Sequence, residues 1–119
     1  MIHRFVVVGL AGLVLGQGAA AMAQDAAKIE NGKKVYAEAK PMPCKACHAV
    51  AGAGNAKGPL DGVGSKLTAD EIKAWLRTPK EMTAKAKAER KPPMPAYPPE
   101  KLSDEDLDAL TAYLLSLKK

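Results

Sequence analysis

The sequence predicts an all-α domain. Three segments place apolar residues at helical spacing, two of them behind capping residues, whereas no segment alternates as a strand would. The stretches between them are rich in glycine and proline, which is loop composition. With 119 residues the chain has room for one domain. It holds one Trp, one Phe and three Tyr, so core volume must come from elsewhere. Domains of this size often depend on a metal, a disulfide or a cofactor.

The amino-terminal 23 residues differ from the rest. Arg4 supplies positive charge, Phe5 to Gly16 is uncharged, and Ala21-Met22-Ala23 fits a small-x-small cleavage pattern before polar Gln24-Asp25. This reads as a secretory signal peptide over 1–23, followed by a domain over 24–119. The apolar run is short for a membrane span, which needs about 20 residues. No Cys lies next to the cleavage point, so a lipid anchor is not expected. The whole chain has a formal charge of +5. Cleavage would remove Arg4 and His3 and leave His48 as the sole histidine.

The first helix is expected over Asp25 to Lys40, with Ile29, Val35, Tyr36 and Ala39 as its apolar face and Pro41 as its stop. Residues 49–66 hold five glycines and read as loop. A second helix starts at Thr68, where Thr68 and Glu71 have capping-box spacing. Its buried face is Ile72, Trp75 and Leu76, and Thr78-Pro79 ends it. Lys80 to Arg90 allows another helical turn or two, while Lys91 to Pro99 contains five prolines and does not. The last helix runs from about Ser103 to Leu117. Ser103 is its N-cap, and Asp104, Glu105 and Asp106 sit at the positive end of its dipole. Leu107, Leu110, Leu114 and Leu117 make its buried stripe beside Tyr113.

Cys44-Lys45-Ala46-Cys47-His48 carries the chemistry. Cys-x-x-Cys-His is the attachment pattern of a c-type haem. Two thiols about one turn apart can each add to a vinyl group of one porphyrin, and the adjoining His then projects its ring toward the iron. A structural disulfide gives His48 no role. A thioredoxin-like redox pair needs a βαβ context that is absent. A zinc site needs a fourth Cys or His ligand, and none remains after cleavage. One covalently bound haem c per chain is the expected cofactor.

The chain resembles a class I cytochrome c over nearly all of residues 25–119. The likeness rests on Cys44 to His48, then Gly58-Pro59-Leu60-Asp61-Gly62-Val63-Gly64, then Met94, then Leu110-Thr111-Ala112-Tyr113-Leu114, in the family's order. It implies a small helical fold wrapped around one haem, with Met94 as the second axial ligand. Met94 lies in Lys91-Pro92-Pro93-Met94-Pro95-Ala96-Tyr97, and a stiff loop can hold a thioether against iron with little entropy left to lose. The rivals fit less well: Met42 is two residues from Cys44, and Met82 has charged, solvated surroundings. The resemblance also implies that the Pro59 carbonyl accepts the His48 Nδ1–H. It implies as well that Gly32 and Tyr36 meet the last helix at Leu110 and Tyr113. About four extra residues between the first helix and Cys44 depart from the family pattern. Trp75 falls where the family has a large aromatic beside the haem, and is expected to pack there.

The implied function is one-electron transfer in the periplasm without enzymatic chemistry, because two protein ligands leave iron no open position. The less favoured alternative is a haem enzyme or gas-binding protein with an open site. Expected partners are redox proteins with acidic docking surfaces, reached through the basic segment Arg77 to Lys91, which has six basic and two acidic residues. Nucleic acid and a membrane span after cleavage are not expected. The protein would act as a monomeric shuttle or as a subunit of a periplasmic complex.

Overall fold

A computed structural model describes the backbone of residues 17–119 and the side chains from Asp25 onward. Five helices are present among the described residues. They are α1 (Gln17–Glu38), α2 (Val63–Lys66), α3 (Ala69–Arg77), α4 (Pro79–Ala86) and α5 (Asp104–Ser116). A 3-10 turn, Cys44–Ala46, and two short strands, β1 (Ala49–Val50) and β2 (Ala53–Gly54), lie between α1 and α2. The all-α expectation holds. The one addition is this antiparallel ribbon, with Val50 opposite Ala53 across a two-residue turn. Both turn residues, Ala51 and Gly52, have positive φ, as a tight hairpin of this length requires. Two-residue strands are too short to leave an alternating pattern in sequence.

The helix starts follow from their caps. The Thr68 side chain accepts from the Glu71 backbone N–H at 3.2 Å and its hydroxyl donates to the Glu71 carboxylate at 3.1 Å. Ser103 accepts from the Asp106 N–H at 3.2 Å. The two bonds from backbone N–H groups each satisfy a donor that the first helical turn leaves free. Pro79 does more than end α3: it occupies the first turn of α4, where a missing N–H costs nothing. α4 runs eight residues, slightly longer than the turn or two expected. α1 begins upstream of Asp25, and residues 1–16, which hold most of the expected signal peptide, lie outside the described residues.

The core forms where α1 crosses α5. Tyr36, Ala39, Ile72, Leu76, Tyr97, Leu102, Leu107, Leu110, Tyr113 and Leu114 make one buried cluster. Gly32 permits the crossing. A Cβ there would overlap the Ala109 carbonyl and lie 2.6 Å from the Tyr113 Cβ. The Tyr36 and Tyr113 rings meet edge-to-face at 5.7 Å and 74°. The contact expected between these helices is therefore present, with Ala109 rather than Leu110 against the glycine. Leu107, Leu110, Tyr113 and Leu114 are buried as the stripe requires, and Leu117 is half-buried at the helix end. Thr111 is buried too, its hydroxyl donating to the Leu107 carbonyl at 2.7 Å. α2 docks on the end of α5, where the Gly64 N–H donates to the Leu117 carbonyl at 2.9 Å.

Candidate haem-attachment site

The thiols and imidazole are placed by a short, densely bonded segment. The N–H groups of Cys47 and His48 donate to the Cys44 carbonyl at 3.1 and 2.9 Å, which winds the motif into a single tight turn. The Asn55 N–H then closes on the His48 carbonyl at 3.0 Å, and the Asn55 side chain donates to the Ala46 carbonyl at 3.2 Å. The Ala51 N–H donates to Asp61 at 2.8 Å, tying the hairpin to the loop that leads into α2. Asn55 and Asp61 were not singled out in the sequence, although an Asn or Asp beside glycines is a frequent turn former.

His48 is half-buried, and its Nδ1 lies 3.0 Å from the Gly58 carbonyl oxygen. A carbonyl can only accept, so Nδ1 carries the proton and Nε2 keeps its lone pair for a metal. The acceptor is one residue earlier than expected: Gly58, not Pro59. Two further bonds fix this register, from Ala49 N–H to the Gly58 carbonyl at 3.0 Å and from Leu60 N–H to the Ala49 carbonyl at 2.8 Å. Only a glycine fits at 58. A Cβ there would overlap the Cys47 carbonyl and approach the Arg90 guanidinium at 2.6 Å and His48 Nδ1 at 3.0 Å. Pro59 instead lines a cavity of about 240 Å³ with Asp61, Val63, Lys66, Leu67 and Trp75. Trp75 is half-buried on that wall, which agrees with packing.

Burial holds the His48 imidazole below its ordinary value, the Arg90 charge lowers it further, and the Gly58 bond partly opposes both. The neutral, ligating form is favoured. Burial also pushes the Cys44 thiol up to about 11, with a smaller contribution from Cys47. Both cysteines are unpaired and half-buried, so no disulfide competes for the motif.

Met94 is half-buried against the core cluster, as is Cys44. What holds the Met94 loop is not evident from the sequence. Tyr97, only 4% exposed, donates its hydroxyl to the Met42 carbonyl at 2.6 Å and its N–H to the Leu76 carbonyl at 2.8 Å. Arg77 donates to the Tyr97 and Leu102 carbonyls at 2.6 and 2.7 Å and to Asp104 at 2.9 Å. Arg77 is therefore an internal tie and not part of a free basic face. Met42 is exposed, with its sulfur 3.9 Å from Cys47 Sγ. Met82 is half-buried on α4 and less solvated than its neighbours implied.

A family model described as Cytochrome c matches residues 29–118. The chain belongs to the cytochrome c family. It is a class I c-type cytochrome, and the cofactor of such a domain is covalently bound haem c. The residues present fit that group. Two unpaired thiols flank a single turn, and the imidazole beside them presents Nε2. Among curated proteins, cytochrome c oxidase subunit 2 of Alkalihalophilus pseudofirmus is 35% identical over 96 residues. That match covers 73% of this chain but 25% of the relative, so the cytochrome c chain spans about a quarter of that protein's length. No solved structure matches. Haem-based electron transfer and redox partners follow from the family. No helix among the described residues is long and apolar enough to cross a membrane.

Proposed function

We propose that this cytochrome c is a periplasmic one-electron carrier in which His48 and Met94 are the axial ligands and Cys44 and Cys47 the thioether attachments. The observation that carries the reading is the Nδ1–H bond from His48 to the Gly58 carbonyl, which leaves the Nε2 lone pair available to a metal and so supports a ligand role. Haem c, when bound, supplies an iron centre that gains and loses a single electron. The chain's own residues do the rest. The thiol positions fix the macrocycle's orientation, and the Gly58 carbonyl orients the imidazole and raises its basicity. Met94, in a loop with three neighbouring prolines, supplies a thioether with little freedom, and such ligation raises the reduction potential. With His48 and Met94 both holding the iron, no position would be left for a substrate, so the domain would carry electrons and not act as an enzyme.

Residues 1–23 act as the export signal in this reading, and the exported protein has an intact mass beginning at Gln24. The exposed charges of Lys80, Lys85, Lys87, Arg90 and Lys91, against Glu81 and Glu89, orient acidic redox partners. A second reading, in which the domain serves as a subunit of a larger oxidoreductase, draws on the relative named as an oxidase subunit. Carbon monoxide titration tests the ligand set. The reduced wild-type protein should leave its visible spectrum unchanged under carbon monoxide, and Met94→Ala should bind it readily. Ready binding by the wild type would favour the open-site alternative.

A further inference from the structure

We propose that Tyr97, braced by Arg77, is a positioning residue that sets where Met94 stands relative to the haem-attachment segment. The inference rests on the His48/Met94 reading above. Its physical basis is how few points hold the ligand loop. Among the described residues, the Ala88 N–H bonds back to Thr83 at 3.1 Å, and the next backbone bond is the Tyr97 N–H to the Leu76 carbonyl at 2.8 Å. Pro92, Pro93 and Pro95 have no N–H to offer. Met94 is three residues from the Tyr97 anchor and six from Ala88. At up to about 3.5 Å per residue, the chain reach is about 10 Å from Tyr97 and about 20 Å from Ala88. Tyr97 is therefore the nearer and tighter constraint.

Tyr97 also joins two parts of the site that are remote in sequence. Its hydroxyl ends on the carbonyl of Met42, two residues before Cys44, so one side chain spans from ligand loop to thioether segment. At 4% exposure, water has poor access to replace that bond. Burial holds the phenol protonated, so it remains a donor at neutral pH. Arg77 fixes the other side of the residue. Its guanidinium bridges the Tyr97 and Leu102 carbonyls and Asp104, a planar fork that a lysine cannot reproduce.

The test uses the haem-loaded protein and compares Tyr97→Phe, Arg77→Lys and Thr68→Ala with wild type. Thr68 caps the opposite end of α3 from Arg77 and its side chain bonds only to Glu71, so its alanine variant reports general destabilisation. Tyr97→Phe keeps the ring and removes only the bond to Met42. The expected result is about tenfold faster cyanide binding to the ferric protein, a weaker near-infrared sulfur-to-iron band and a lower reduction potential, measured well below the unfolding temperature. Arg77→Lys should move all three in the same direction, while Thr68→Ala should lower the melting temperature and leave them unchanged. Where Tyr97→Phe yields no holoprotein, Arg77→Lys carries the same comparison. The inference is overturned if the Tyr97 and Arg77 variants bind cyanide at the wild-type rate, or change only as Thr68→Ala does. A Met94→Ala protein run alongside separates the two levels: if its cyanide rate and band match wild type, the ligand assignment has failed, not the clamp alone.

Discussion

Replacing Gly32 with alanine tests whether the α1–α5 crossing is set by backbone contact. On propensity alone the change should help, because glycine inside a helix costs about 1 kcal/mol relative to alanine. The structure argues the reverse. The new Cβ would overlap the Ala109 carbonyl and stand 2.6 Å from the Tyr113 Cβ. Comfortable carbon–carbon separation is about 3.5–4.0 Å, so the helices must part by about 1 Å. A gap of that size forfeits a quarter to a half of the dispersion energy of each affected contact. The contacts at risk include the Tyr36–Tyr113 ring pair, and Leu110, 1% exposed, lies in the same cluster. Overpacking of a tight core costs about 1–3 kcal/mol and sometimes more, and a backbone carbonyl cannot rotate away as a side chain could. Taking about 3 kcal/mol, the upper end of that range, for a clash with backbone, the expected net loss after the propensity gain is about 2 kcal/mol. For a domain of this size that lowers the melting temperature by roughly 8–16 °C. Thermal unfolding of the haem-loaded protein, followed by far-ultraviolet circular dichroism, is the assay. A Gly32→Ala protein as stable as wild type, or more so, would refute the close-crossing argument.

Three further outcomes are expected. Losing both Cys44 and Cys47 should abolish covalent holoprotein, so that acid–acetone extraction strips all colour, and should leave the chain largely unfolded and protease-sensitive. The buried Tyr36 and Tyr97 phenols are each raised from 10 to about 12, mainly by burial. A raised folded value means the folded state keeps protons that the unfolded state releases, so their stabilisation is complete below pH 10 and is lost as pH rises toward 12. Tyr36→Phe, which removes a buried hydroxyl with no hydrogen-bond partner among the described residues, should flatten the fall of the melting temperature across that window. Electron transfer with an acidic partner should slow as salt rises, since screening is effective beyond roughly 10 Å at about 0.1 M. Charge reversal at Lys85 and Lys87 should slow it further at low salt with the reduction potential nearly unchanged; Arg90 is left intact because its charge acts on His48.

Local signals were legible in the sequence where one residue type has one dominant use. Thr68 and Ser103 precede acidic first turns and cap helices because a hydroxyl there meets a free N–H. Cys44, Cys47 and His48 read as an attachment motif because their spacing leaves few other chemistries. Gly32 and Tyr36 found their partner helix through the family likeness. Features that depend on backbone direction were not legible. Whether the Gly58 or the Pro59 carbonyl faces His48 is a matter of peptide orientation, which side-chain identity does not encode. Arg77 read as one charge among six, yet its partners are 20 to 27 residues away in sequence and three of its bonds turn it inward. Tyr97 read only as the end of a proline-rich loop, because its partner Met42 lies 55 residues upstream.

The ligand assignment is tested most directly by the near-infrared sulfur-to-iron band of the ferric protein, recorded for wild type, Met94→Ala and Met82→Ala. The band should be present in wild type, absent in Met94→Ala and intact in Met82→Ala, with the potential lowered only in the Met94 variant. A band that survives in Met94→Ala and disappears in Met82→Ala would contradict the assignment and move the second ligand onto α4.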